Sequence, residues 1–171
     1  NSHGVCHPHG LTYPARSDAD YSKILVGDLR NDRLDDIVVL GSKGSRLFRM
    51  GTNGLAMDVS SSSGLSTLSA INGMLIDLDF TGKLDLVAVT GKSNEVQVLR
   101  QSGHMAGIGL QTMSFTNITS ASGMPAMLRN VQAVVMEDWN RDHVMDVIAS
   151  RTDRPPLLLE KQRGGKLVPR E

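Results

Sequence analysis

The sequence predicts an all-β fold made of about three four-stranded antiparallel units. Two repeated motifs and one strand pattern predict it. The first motif is GDLRNDRLDDIVV at 27–39, which returns as IDLDFTGKLDLVA at 76–88 and as EDWNRDHVMDVIA at 137–149. The second is DVSSSSGL at 58–65, matched position for position by NITSASGM at 117–124. Between them lie short apolar runs rich in Val and Ile. No window carries the longer 3.6-residue periodicity of a helix.

The elements follow in order. First strands are Ile24-Leu25-Val26, Met74-Leu75-Ile76 and Val134-Val135-Met136. An acidic loop comes next, and then second strands at Ile37-Val38-Val39, 86–89 and Val147-Ile148-Ala149. Turns rich in Gly, Ser, Asn or Pro at 41–44, 91–94 and 153–155 lead to third strands. These are Leu47-Phe48, a stretch around Val96 and Val98, and Leu157-Leu158-Leu159. The alternation Val96-Gln97-Val98 fits a strand with one wetter face. Fourth strands are Leu55-Ala56-Met57 and Met113-Ser114-Phe115, and each runs into the serine-rich motif, read here as a loop. In the third unit Leu167-Val168 stand at that place, as an incomplete fourth strand.

Four strands every about 50–60 residues is the period of a β-propeller blade. The expected organisation is an N-terminal tail at 1–20, with Gly10-Leu11 as the end of a preceding blade, followed by blades at 21–65, 66–124 and 125–171. A blade cannot bury both of its faces alone, so neighbours must stack on it. Three blades fall short of the ~4–8 of a propeller. The expectation is therefore an arc of a larger ring, completed by more of the same protein or by a second copy in a homo-oligomer.

Composition narrows the function. The 171 residues are 40% hydrophobic and 21% charged, as in an ordinary folded domain. The formal net charge of +0 leaves no basic field to hold a nucleic-acid backbone. No apolar run approaches the ~18 residues of a membrane span. The single cysteine, Cys6, excludes an internal disulfide framework.

These motifs resemble the FG-GAP family, also described as VCBS-like repeats and found in integrin α propellers. The shared pattern is a strand, D-x-[DN]-x-[DN]-G-x-x-D, a strand, a turn, an L-[FY]-x-N-like strand and then D-V-T-x-x-S-G-L. LFRMGTNGLAMDVSSSSGL at 47–65 follows the family's blade ending, and the second unit carries the whole pattern well. The resemblance covers roughly residues 22–168. It implies a β-propeller, Ca²⁺-binding loops, an extracellular or periplasmic setting, and non-catalytic recognition of a protein or carbohydrate ligand. A rival reading makes these blades the scaffold of a larger secreted enzyme whose active site lies elsewhere. A Ca²⁺ sensor would need helices flanking each loop, whereas strand formers flank these.

Oxygen-bearing side chains recur two residues apart in each acidic loop, and a final Asp stands eight residues after the first. Ca²⁺ takes six to eight oxygens at about 2.3–2.6 Å. A tight loop offers side chains at positions 1, 3, 5 and 9 and a backbone carbonyl at 7, and so ties two strands together. The third loop matches best, with Asp138, Asn140, Asp142 and Asp146 and the carbonyl of Val144, although His143 stands where Gly usually makes the turn. The second offers Asp77, Asp79, Thr81 and Asp85 with the carbonyl of Lys83, and Gly82 supplies the turn. The first offers Asp28, Asp32 and Asp36 with the carbonyl of Leu34, but Arg30 takes position 3 and Arg33 replaces Gly. The Arg30 guanidinium is placed to enter these carboxylates and replace the ion with an internal salt bridge. Asp-rich turns also form simply because Asp caps its own backbone; three copies in register favour the metal. Such an ion is structural, since no nucleophile or acid–base partner accompanies the loops.

Other residues carry weaker signals. His3, Cys6, His7 and His9 have metal-ligand chemistry but precede the fold and read as a tail. Asn117-Ile118-Thr119 is a glycosylation sequon. Trp139 either packs between blades, which is the expectation, or offers an aromatic to a ligand. Ser60 to Ser63 have no His/Asp companion at a suggestive spacing for acyl chemistry.

Overall fold

A computed structural model describes residues 20–103, 113–125 and 128–170. The expectations for the tail and its His/Cys cluster lie outside these residues. The chain forms three four-stranded antiparallel sheets, each a meander in chain order. The first holds β1 (Tyr21–Gly27), β2 (Asp36–Gly41), β3 (Arg46–Met50) and β4 (Ala56–Asp58). The second holds β5 (Ala70–Ile76), β6 (Asp85–Thr90), β7 (Val96–Gly103) and β8 (Met113–Asn117). The third holds β9 (Val131–Glu137), β10 (Asp146–Arg151), β11 (Leu157–Lys161) and β12 (Leu167–Arg170).

The repeat extends to register. Each first strand carries an irregularity near its start, between Tyr21 and Lys23, between Ala70 and Asn72, and opposite Ser150/Arg151. Each acidic loop is closed by the same pair: Gly27 with Asp36, Ile76 with Asp85, Glu137 with Asp146. Two details differ from the expectation. The serine motif of the first unit is a helical turn, α1 (Ser60–Ser63), followed by a 3₁₀ turn at Leu65–Thr67. Asp58 starts it by accepting from the Ser60 N–H and hydroxyl, and Gly64 at φ 82° ends it. The matching Asn117 accepts from the Thr119 N–H and hydroxyl, at 3.0 and 2.7 Å. The fourth strand of the third unit is also complete enough to pair with β11 over four residues, from Leu158↔Arg170 to Lys161↔Leu167.

The sheets stack face to face, with β5 packed against both β1 and β9. Strand alternation decides which residue meets which neighbour. Val38 and Leu40 of the first sheet share a core with Leu86, Ala88 and Leu99 of the second. Val87, Val89 and Val98 point the other way, into a core with Val147, Ala149 and Leu159. The second sheet is thus covered on both faces, and β6 is buried at all six positions. The outer sheets alternate instead: Ile37 and Val39 on β2, and Ile148 on β10, are only half-buried.

Candidate metal centre

The three acidic loops, 28–36, 77–85 and 138–146, are one turn built three times. The position-1 aspartate turns inward and caps the loop's own backbone. Asp28 accepts from the N–H of Asp32 and Arg33 at 3.1 and 2.7 Å. Asp77 accepts from Thr81 and Gly82 at 3.1 and 2.8 Å. Asp138 accepts from Asp142 and His143 at 3.0 and 3.1 Å. Positions 4 and 6 are left-handed in every copy: Asn31, Phe80 and Arg141 at φ 54°, 60° and 61°, and Arg33, Gly82 and His143 at φ 68°, 78° and 67°. Arg33 and His143 therefore make the turn expected of glycine, each held by the bond its N–H gives to position 1.

Position 9 is equally regular. Asp36, Asp85 and Asp146 are buried. Each accepts through Oδ1 from a backbone N–H at the same place on the third strand, from Met50 at 3.1 Å, Gln101 at 2.8 Å and Lys161 at 2.8 Å. The carbonyls of Leu34, Lys83 and Val144 at position 7 accept no hydrogen bond among the described residues.

The loops diverge in what meets the carboxylates. In the first, the buried Arg30 donates from Nε and Nη2 to both oxygens of Asp36, at 3.2 and 3.1 Å. Its Nη1 lies 2.6 Å from Asp32 Oδ2, and its Nη2 also reaches the Met50 carbonyl at 2.7 Å. In the second, Thr81 donates to Asp79 at 2.7 Å, and Arg100 Nε stands 3.4 Å from Asp79 Oδ2. Lys161 crosses from the third sheet to donate to the Asp77 carbonyl at 2.8 Å, with its ammonium 4.1 Å from the centre of the Phe80 ring. In the third, Asn140 and Asp142 bond each other at 2.9 Å, and Asp142 Oδ1 takes the Val144 N–H at 2.8 Å. Asp146 Oδ2 is buried with no hydrogen-bond partner. Among the described residues, no three Asp, Glu, His or Cys side chains already converge to hold a metal ion.

Titration behaviour follows these surroundings. Burial works against Asp28, but the N–H groups of Arg33, Asp32 and Arg30 hold its carboxyl below the usual range. Burial pushes the Asp85 carboxyl up, and the neighbouring Asp79 adds to this. Burial also pushes the Lys161 ammonium down, opposed by Asp77, Asp146, Asp142 and Asp79 from two loops.

Arg100, Gln101 and Lys161 were not among the site residues expected from sequence. Aligning the third strands puts Met50, Gln101 and Lys161 in one position. Nothing local shows that its side chain reaches the preceding unit: Gln101 donates to the Leu29 carbonyl and Lys161 to that of Asp77. Trp139 overturns the packing expectation, being 65% exposed. It holds loop position 2, where Leu29 and Leu78 are buried in the core shared with the following sheet. Trp139 has no following sheet among the described residues.

Two polar grooves lie away from the loops. One of about 410 Å³ is lined by Thr67, Thr90, Lys92, Glu95, Gln97 and Phe115, among others. The other, of about 400 Å³, lies beside Arg46, Asp58 and the serines of α1. Ser60 and Ser63 serve the turn itself: Ser60 Oγ accepts the Leu47 N–H at 3.0 Å, and Ser63 donates to the Ser60 carbonyl at 3.1 Å. No protein-family model matches this chain, and no curated protein sequence matches it.

Proposed function

We propose that this chain is an arc of an FG-GAP-like β-propeller that takes Ca²⁺ in an acidic loop and serves as a non-catalytic recognition module in an extracellular or periplasmic setting. The observation that carries the metal reading is Asp146. A fully buried carboxylate oxygen without a partner costs free energy, and it stands at position 9 of the loop whose other donors are Asp138, Asn140, Asp142 and the Val144 carbonyl. A bound Ca²⁺ supplies the missing positive charge and ties β9 to β10. Ligation requires Asn140 and Asp142 to turn from each other toward the ion.

The arc reading is supported by the faces of the outer sheets. Ile24 and Val26 on one side, and Val135 and Trp139 on the other, are exposed at positions that are apolar and buried when a neighbour is present. Another blade sheet, from more of the same protein or a second copy, fits both. The polar grooves, with their hydroxyl, amide and charged linings, suit a protein or carbohydrate ligand.

The test is thermal melting of the chain in EGTA and in Ca²⁺. A rise in melting temperature with Ca²⁺ that disappears in Asp142→Ala is the expected result. Identical melting in both buffers overturns the metal reading.

A further inference from the structure

The three loops share a backbone, yet their carboxylates meet different positive charges. The first loop carries its own, because Arg30 contacts both Asp32 and Asp36 from within. The second receives its charges from outside: Arg100 on Asp79, and Lys161 on the Asp77 carbonyl. Among the described residues no ion pair reaches Asp138, Asp142 or Asp146, and Asp146 alone of the three position-9 residues keeps a buried, unpartnered oxygen.

The residue that reaches back from the third strand follows the same logic. Gln101 reaches a loop that already holds Arg30, and it is neutral. Lys161 reaches a loop whose own lysine, Lys83, turns away to the Gly103 carbonyl, and it is charged. Both make the same kind of bond, to a carbonyl at the start of the preceding loop. Lys161 stands between two loops, facing Asp77 and Asp79 of the second and Asp146 and Asp142 of the third, so what sets the second loop apart is the Arg100 guanidinium at Asp79, which repels a divalent ion and neutralises a carboxylate that would attract one.

We infer that the protein supplies the cations of its first two loops, Arg30 for one and Arg100 for the other, so that one divalent ion per chain is taken, by the third loop alone. This rests on the calcium reading above and narrows it. The second loop, a strong candidate from sequence, is excluded by a side chain 15 residues downstream of its last aspartate, Arg100. Lys161 joins the second and third sheets electrostatically without a metal.

Calorimetric titration of the intact chain with CaCl₂ tests this, using Asp142→Ala and Asp79→Ala to locate the ion. The expected result is one Ca²⁺ per chain, lost in Asp142→Ala and kept in Asp79→Ala. Arg100→Met should then take two. Arg100→Gln, which keeps a polar side chain, gives the same readout if Arg100→Met is unfolded by circular dichroism. Two ions in the wild type, the second lost in Asp79→Ala, would overturn the inference and leave the calcium reading standing. A single ion in a folded, charge-deleted variant would overturn it too. No ion in the wild type sinks the calcium reading itself.

Discussion

The first and third acidic loops have the same turn, the same capping bonds and the same closing pair, and opposite means of balancing charge. In the first, a side chain at position 3 fills the loop with a guanidinium. In the third, that position is Asn140, and the buried aspartate at position 9 is left with a free oxygen. A backbone that tolerates both shows that the turn does not depend on what meets the carboxylates. It is held by position 1 capping positions 5 and 6, and by position 9 accepting from the third strand. A side-chain cation is a separate layer, present in the first copy and absent from the third among the described residues.

The largest effects should separate these two loops. Asp36→Asn removes the buried one of the two carboxylates that hold the Arg30 guanidinium, and breaking such a pair by removing one partner costs about 3–5 kcal/mol. Asp146→Asn in EGTA removes an unpaired buried charge and should leave stability unchanged or raised, while abolishing the Ca²⁺ shift. Urea denaturation of both variants makes the comparison, and equal losses in EGTA would erase the distinction.

Position 2 gives the next contrast. Leu78→Ala opens a cavity in a core shared by two sheets and should cost about 2–5 kcal/mol. Trp139→Ala, at an exposed copy of the same position, should change chemical stability by under about 1 kcal/mol in the monomer. If another copy covers that face, light scattering will show wild-type mass rising with concentration and Trp139→Asp remaining monomeric.

A smaller effect is in the pH dependence. The folded pKa of Asp28 lies below its unfolded value. Its stabilisation is present above the unfolded pKa, about 3.9, and is lost as pH falls through the folded one. Asp28→Asn should therefore be less stable than wild type at neutral pH, with the gap closing in acid. Asp85 has the opposite sign: its folded pKa is raised, so its contribution is present in acid and fades as pH rises through that value. Urea midpoints at several pH values read both. The smallest change should come from His143→Gly, which relieves a left-handed side-chain position at φ 67°, with a gain of about 1 kcal/mol or less.

Much of the fold was legible because β structure leaves a period-2 trace and the two motifs repeat in register. The strands, their meander and the shared geometry of the loops follow from runs such as Val87-Ala88-Val89 and from the spacing of the aspartates. The arrangement of Arg30 was legible too, because it stands inside the motif. The helical turn at Ser60–Ser63 was missed because its signal is a cap and a terminating glycine around four serines, too short for any periodicity. Lys161 and Arg100 were missed for a different reason. Their partners lie on a neighbouring strand or sheet, and a linear sequence does not record which face of β11 or β7 meets which loop. Trp139 was misread because an apolar residue at a core position is buried only when the next sheet is there to cover it.

Trp139 is the only tryptophan in the chain and sits inside the third loop, so it is a built-in reporter of that loop's occupancy. Terbium, a luminescent substitute for Ca²⁺, should give emission on tryptophan excitation that saturates at one ion per chain and is displaced by Ca²⁺. It should be lost in Asp142→Ala and unchanged in Asp79→Ala. Absence of sensitised emission from the folded wild type, or equal loss in both variants, would contradict an ion held in the third loop.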